Sequence, residues 1–148
     1  MKIRVKQSSL IERYEGTYPT LSAFMLRATP LPADSERVEE EGRGELLSAS
    51  PLSLSYRTEE GRPVSLFYEG ERLTVKRGLS EMIFQKGETT VFPYRTEYGT
   101  LEIKAFTDGI TLKEKEGAFL LTLSYYALLG DMMQKNTLRF LITKEEKK

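Results

Sequence analysis

Apolar and polar residues alternate along most of this chain. Leu52, Leu54 and Tyr56 share one parity, and Ser53, Ser55 and Arg57 hold the other. Leu73, Val75 and Arg77 oppose Arg72, Thr74 and Lys76; Leu121, Leu123 and Tyr125 oppose Thr122 and Ser124. The same period of two returns at Leu101, Ile103 and Ala105, at Ile110 and Leu112, and at Leu138, Phe140 and Ile142. One apolar face and one wet face per strand predict antiparallel strands that cover a common core. Glycine punctuates the pattern at positions 61, 70, 78, 87, 99, 109, 117 and 130. That interval is one strand plus one turn, the beat of a β-meander. Glu59-Glu60-Gly61, Glu69-Gly70-Glu71, Lys86-Gly87-Glu88, Asp108-Gly109 and Glu116-Gly117 read as its turns, because glycine supplies the positive φ that tight hairpins need.

The pattern predicts strands near 2–8, 37–49, 51–58, 63–69, 71–77, 80–86, 89–96, 100–107, 110–115, 118–127 and 137–143, some of them halves of one long, bent strand. Pro51 favours a bulge or an edge where it falls. About eight to ten pairing strands remain, and an open sheet of that size tends to curl and close, which removes its exposed edges. The fold class is therefore all-β, an antiparallel meander closing into a barrel. Residues 9–36 form the irregular part, with Pro19, Pro30 and Pro32. Within it, 20–27 can place Leu21, Phe24, Met25 and Ala28 on one face of a short helix. It can also run as a strand into a proline-rich loop; the helix is preferred. Residues 35–43 are acidic and read as extended or looped, and 144–148 as a frayed tail.

A length of 148 residues suits one domain. Lys plus Arg and Asp plus Glu both number 22, which argues against a nucleic-acid partner, since such proteins gather a basic excess on one face. The chain has no Cys, His or Trp. Disulfides, thiolate nucleophiles, Ser-His-Asp and Cys-His mechanisms and imidazole or thiolate metal sites are therefore excluded. No cofactor or metal is expected. The start MKIRVKQSSL has no apolar signal region, and no apolar run approaches the ~20 residues that span a bilayer. The expectation is a soluble cytoplasmic protein without a membrane partner.

Val75-Lys76-Arg77-Gly78, Met82-Ile83-Phe84, Lys86-Gly87, Tyr94-Arg95-Thr96-Glu97-Tyr98-Gly99 and Leu123-Ser124-Tyr125 follow one another in this order. In combination they resemble the YwiB-like family of uncharacterised bacterial β-barrel proteins, from about Ser53 to Thr143. That family is grouped by fold with the calycins, which include the lipocalins and fatty-acid-binding proteins. The first fifty residues match poorly, and 18–36 looks inserted or diverged. The resemblance implies a calycin-like barrel and no activity.

Three features bear on function. The acidic runs Glu39-Glu40-Glu41, Glu59-Glu60, Glu114/Glu116 and Glu145-Glu146 fall at turns or on polar faces, where carboxylates are solvated rather than paired for acid–base work. Arg77 shares the parity of Leu73 and Val75, so it should point inward, buried and satisfied. It either closes the barrel structurally or anchors an anionic head group. Tyr94, Thr96 and Tyr98 share one parity, Tyr125 lies two strands on, and Tyr56 stands inward on another strand. These hydroxyls would either line a ligand cavity or form a network of satisfied core tyrosines. The candidate ligand-binding residues are therefore Arg77, Tyr94, Thr96, Tyr98, Tyr125 and Tyr56. The function expected first is a non-catalytic barrel for a small apolar or amphipathic ligand. The alternative is a filled barrel acting through protein–protein contact, with a homodimer as one form of it.

Overall fold

The structure is a computed structural model and describes residues 1–25 and 31–145. Ten strands form one antiparallel sheet: β1 (Lys2–Arg13), β2 (Asp34–Ala49), β3 (Leu52–Thr58), β4 (Pro63–Glu69), β5 (Arg72–Arg77), β6 (Ser80–Gln85), β7 (Thr89–Thr96), β8 (Gly99–Lys115), β9 (Ala118–Leu129) and β10 (Met132–Lys144). Their order is β6-β5-β4-β3-β2-β1-β10-β9-β8-β7. Every neighbouring pair is consecutive along the chain except β1 with β10, which pair from Ile3↔Lys144 to Arg13↔Gln134.

The sheet is the expected all-β barrel, closed except for one seam. The edge strands β6 and β7 lie side by side without a backbone ladder, and side chains span the gap instead. Thr90 Oγ1 donates to the carbonyl of Ile83 at 2.6 Å, and the Arg95 N–H donates to Ser80 Oγ at 3.2 Å. Pro93 belongs here for the same reason, since it has no N–H and is tolerated only at an edge.

Most glycine turns are as the spacing predicts, but Asp108-Gly109 is not a hairpin. The stretches 100–107 and 110–115 are one strand, β8, with a bulge between Thr107 and Gly109. The bulge frees the Thr107 backbone, which pairs with the turn between β6 and β7. Gly87 N–H donates to Thr107 O at 2.8 Å, and Thr107 N–H donates to Glu88 O at 3.1 Å. A bulge and a hairpin both recruit glycine, so the dipeptide alone does not separate them. The Thr107 hydroxyl is the one buried side-chain polar atom without a hydrogen-bond partner among the described residues. Thr107→Val keeps the shape and removes the orphan. It is expected to raise stability by about 1 kcal/mol. A loss of that size in urea melts would mean that the hydroxyl is satisfied.

The irregular segment is shorter than expected. β1 continues to Arg13 and β2 begins at Asp34. The helix α1 spans Leu21–Met25 and is capped by Thr20, whose hydroxyl accepts the Ala23 N–H at 3.0 Å. Its expected continuation through Ala28 lies outside the described residues. α1 packs on the outside of the barrel, with Phe24 edge-on to Tyr14 and Tyr18. Leu21 and Phe24 join Leu128 and Met133 in a second apolar cluster there. At the other terminus Lys144 completes β10 and the Glu145 N–H donates to Lys2 O at 2.9 Å, so neither residue belongs to a tail; 146–148 lie outside the described residues. The acidic stretch 35–43 is regular strand.

Inside the barrel the two ends differ. Around the turns at 50–51, 70–71, 86–88 and 116–117 the interior is solid. Ile3, Val5, Leu52, Leu54, Leu66, Leu73, Phe84, Leu121, Leu123, Phe140 and Ile142 are fully buried there. Toward the turns at 59–62, 78–79, 97–98 and 130–131 the inward residues change character, and the core stops.

Candidate functional site

The inward positions of β1 read Ile3, Val5, Gln7, Ser9 and Ile11. Those of β10, followed outward beside them, read Ile142, Phe140, Leu138, Asn136 and Gln134. Both strands turn from apolar to polar halfway along the barrel. What results is a cavity of about 280 Å³ at the end away from the termini, open to solvent. Phe84, with its ring 4.6 Å from that of Tyr125, forms part of its lining. Val75, Met82, Ile103, Leu138 and Phe140 are among its other apolar walls, and Arg77, Tyr94, Tyr125, Gln7, Ser9, Gln134 and Asn136 supply polar groups.

Arg77 points inward, as its parity predicts, and is held by an ion pair and a hydrogen bond. Its Nη2 donates to both oxygens of Glu40, at 2.7 and 2.6 Å, and its Nη1 donates to Gln7 Oε1 at 3.0 Å. Its side chain is 18% exposed and that of Glu40 26%. Burial works against the guanidinium charge, but the Glu40 carboxylate more than offsets it and holds the pKa above its ordinary value. Glu40 is the partner that sequence reasoning missed. It stands on β2 opposite Gln7, in an acidic run read as solvated.

Tyr56 lies behind this group, buried, with its hydroxyl donating to Gln7 Oε1 at 3.4 Å. Burial raises its pKa, and the Arg77 charge opposes the shift only in part. Across the cavity a second chain of bonds runs along β10. Gln134 Nε2 donates to Asn136 Oδ1 at 3.1 Å, and Asn136 Nδ2 donates to the Tyr125 hydroxyl at 2.9 Å. Tyr125 is 8% exposed, and burial pushes its pKa up to about 12.

Of the six candidate residues, Arg77, Tyr94 and Tyr125 line the cavity together, and Tyr56 supports it from behind. Thr96 and Tyr98 do not line it. β7 ends at Thr96, whose hydroxyl donates to Gly99 O at 2.8 Å and accepts the Tyr98 N–H at 3.2 Å. Tyr98 is therefore a turn residue and stands 93% exposed. The parity that joins it to Tyr94 holds only while the strand continues. Gln7, Ser9, Gln134 and Asn136 went unnoticed, although Gln7 and Ser9 extend the parity of Ile3 and Val5.

A ten-stranded antiparallel barrel, solid at one end and hollow at the other, is the class of protein that this architecture defines. The chain belongs to the family described as Domain of unknown function (DUF1934), which it matches over residues 31–140. Its fold is that of the ywiB protein from Bacillus subtilis, known as a crystal structure. The TM-score is 0.65 at 18% sequence identity, covering 94% of this chain and 89% of that one. No curated protein matches the chain. No helix among the described residues is long and apolar enough to cross a membrane.

Proposed function

We propose that the chain is a non-catalytic binding module of the cytoplasm whose half-filled barrel takes one small amphipathic molecule. One observation carries this reading: the inward positions exchange Leu, Ile and Phe for Gln, Ser, Asn and Tyr at one end only, around the cavity. A barrel that served only as scaffold would be steadier filled, because each inward polar group must find a partner. At 280 Å³ the space holds about nine waters at the ~30 Å³ that each occupies in the liquid. It falls just below the usual range for ligand pockets, roughly 300–1,000 Å³, so a compact molecule fits and a long acyl chain does not. Native mass spectrometry of protein taken directly from cells is expected to show a retained small molecule of fixed mass. A bare monomer mass would count against the reading.

A second reading rests on the turns around the open end. Leu79, Tyr98 and Met132 present apolar surface there and are 83%, 93% and 63% exposed. This apolar rim favours seating that end on a second copy of the chain, and a dimer mass in the same spectrum would support it.

A further inference from the structure

We propose, on the footing of the ligand-binding reading, that the cavity selects an uncharged molecule through an acceptor oxygen held by the phenol groups of Tyr94 and Tyr125. The argument is one of which donors and acceptors remain unspent. Among the described residues Arg77 is the only charged one lining the cavity, and both carboxylate oxygens of Glu40 hold it. An anion would therefore meet a guanidinium already neutralised, and a cation would meet no free carboxylate. Charge gives neither an advantage over a neutral molecule, and both lose their hydration on entering.

Among the neutral groups, Gln7 Nε2 is engaged with Ser9 Oγ at 3.0 Å. The bonds of β10 all run in one direction, from Gln134 to Asn136 to Tyr125. They end on the Tyr125 oxygen, which accepts, so its own proton has no acceptor among the described residues. The Tyr94 side chain lines the same space and makes no hydrogen bond among the described residues. Tyr125 is buried and Tyr94 half-buried at the open cavity; a phenol O–H shielded from bulk solvent seeks an acceptor, and both are left to be met by whatever enters. The raised pKa of Tyr125 keeps its proton in place through the neutral range. The complementary ligand carries a carbonyl, ether or similar oxygen at one end. Its apolar body rests on Val75, Met82, Phe84, Ile103 and Leu138. This departs from the anionic head group that an inward arginine suggests from sequence.

The test uses three probes of one ring size: cyclohexanone, methylcyclohexane and cyclohexanecarboxylate. Binding is followed by NMR through the methyl group of Met82 in protein labelled at methionine. Cyclohexanone is expected to bind, with its affinity reduced about 3- to 10-fold by Tyr94→Phe and by Tyr125→Phe, as one neutral hydrogen bond implies. Methylcyclohexane should bind the parent and both variants alike, and the carboxylate more weakly than the ketone. Tyr94 has no hydrogen bond among the described residues to lose, so Tyr94→Phe is informative even if Tyr125→Phe is unstable. Ketone affinity unchanged in Tyr94→Phe, or a carboxylate that outbinds the ketone, would overturn the phenol assignment and leave the ligand-binding reading standing. No response of the Met82 methyl group to any of the three would overturn both.

Discussion

Gly44→Ala is expected to destabilise the protein by about 3–4 kcal/mol, at the upper end of what single substitutions do. Gly44 pairs with Tyr56 across the β2–β3 ladder. A Cβ at this position would run into the carbonyl oxygen of Ser55 and come within 2.5 Å of the Tyr56 Cα and 2.7 Å of the Ser55 carbonyl carbon. These are backbone atoms, so no rotamer change relieves the clash, and the two strands would have to separate and give up their hydrogen bonds. Gly42 is related but different. A Cβ there would meet the Arg57 carbonyl oxygen and, at 2.6 Å, the Tyr56 ring. Its lack of a side chain is what lets that ring settle where its hydroxyl reaches Gln7. Two glycines in a strand interior mark a close backbone approach on the wall that carries Glu40. Guanidinium unfolding of the parent and Gly44→Ala is the measurement. A loss under about 1 kcal/mol would show that β2 and β3 have room to move apart.

Arg77→Ala should be the next most damaging change, at about 2–4 kcal/mol. The loss is larger than that of a surface ion pair, because both partners are shielded and the pairing is bidentate. Truncation leaves the Glu40 carboxylate with no counter-charge in a half-buried position, and Gln7 Oε1 loses its strongest donor. The same reasoning gives a second expectation. Replacing the pair together, as Arg77→Met with Glu40→Leu, should recover most of the loss, since buried ion pairs are often no better than apolar residues of like volume. Urea melts of the parent, the single and the double variant form the comparison. A single variant within about 0.5 kcal/mol of the parent would put Arg77 in free solvent, against its 18% exposure.

How far the fold can be read from sequence varies along the barrel, and the variation has a physical cause. Where inward residues are apolar the period of two is plain, and strands such as β3, β4 and β5 are predicted to within a residue or so. β1 and β10 are predicted too short, to residue 8 rather than 13 and from 137 rather than 132. At those ends the inward residues are Ser9, Gln134 and Asn136, so the alternation that identifies a strand is erased by the groups that line the cavity. Glu40 is hidden for a related reason. Glutamates at 39, 40 and 41 occupy both faces of the strand, and a run of one residue type carries no parity. Arg77 is legible because Leu73 and Val75 set its parity two and four residues before it. Tyr98 is misplaced because the strand that would carry the parity has already turned. Local consistency is weakest where the chain departs from packing to make a site.

The pairing of β1 with β10 has a consequence for biosynthesis. The barrel's first strand to be synthesised is bonded on one side to its last, so at about 5–20 residues per second it waits on the order of ten seconds for that neighbour. During the wait β1 to β6 can pair in sequence as a half-sheet, with the outer side of β1 exposed to other nascent chains. An unprotected edge of that kind invites aggregation. Lys2, Arg4 and Lys6 alternate with Ile3 and Val5 along it, and like charges on successive copies repel. The residues that in the finished barrel only decorate an outer face, Lys6 near Glu41 and Arg4 near Glu145, thus guard the unfinished one.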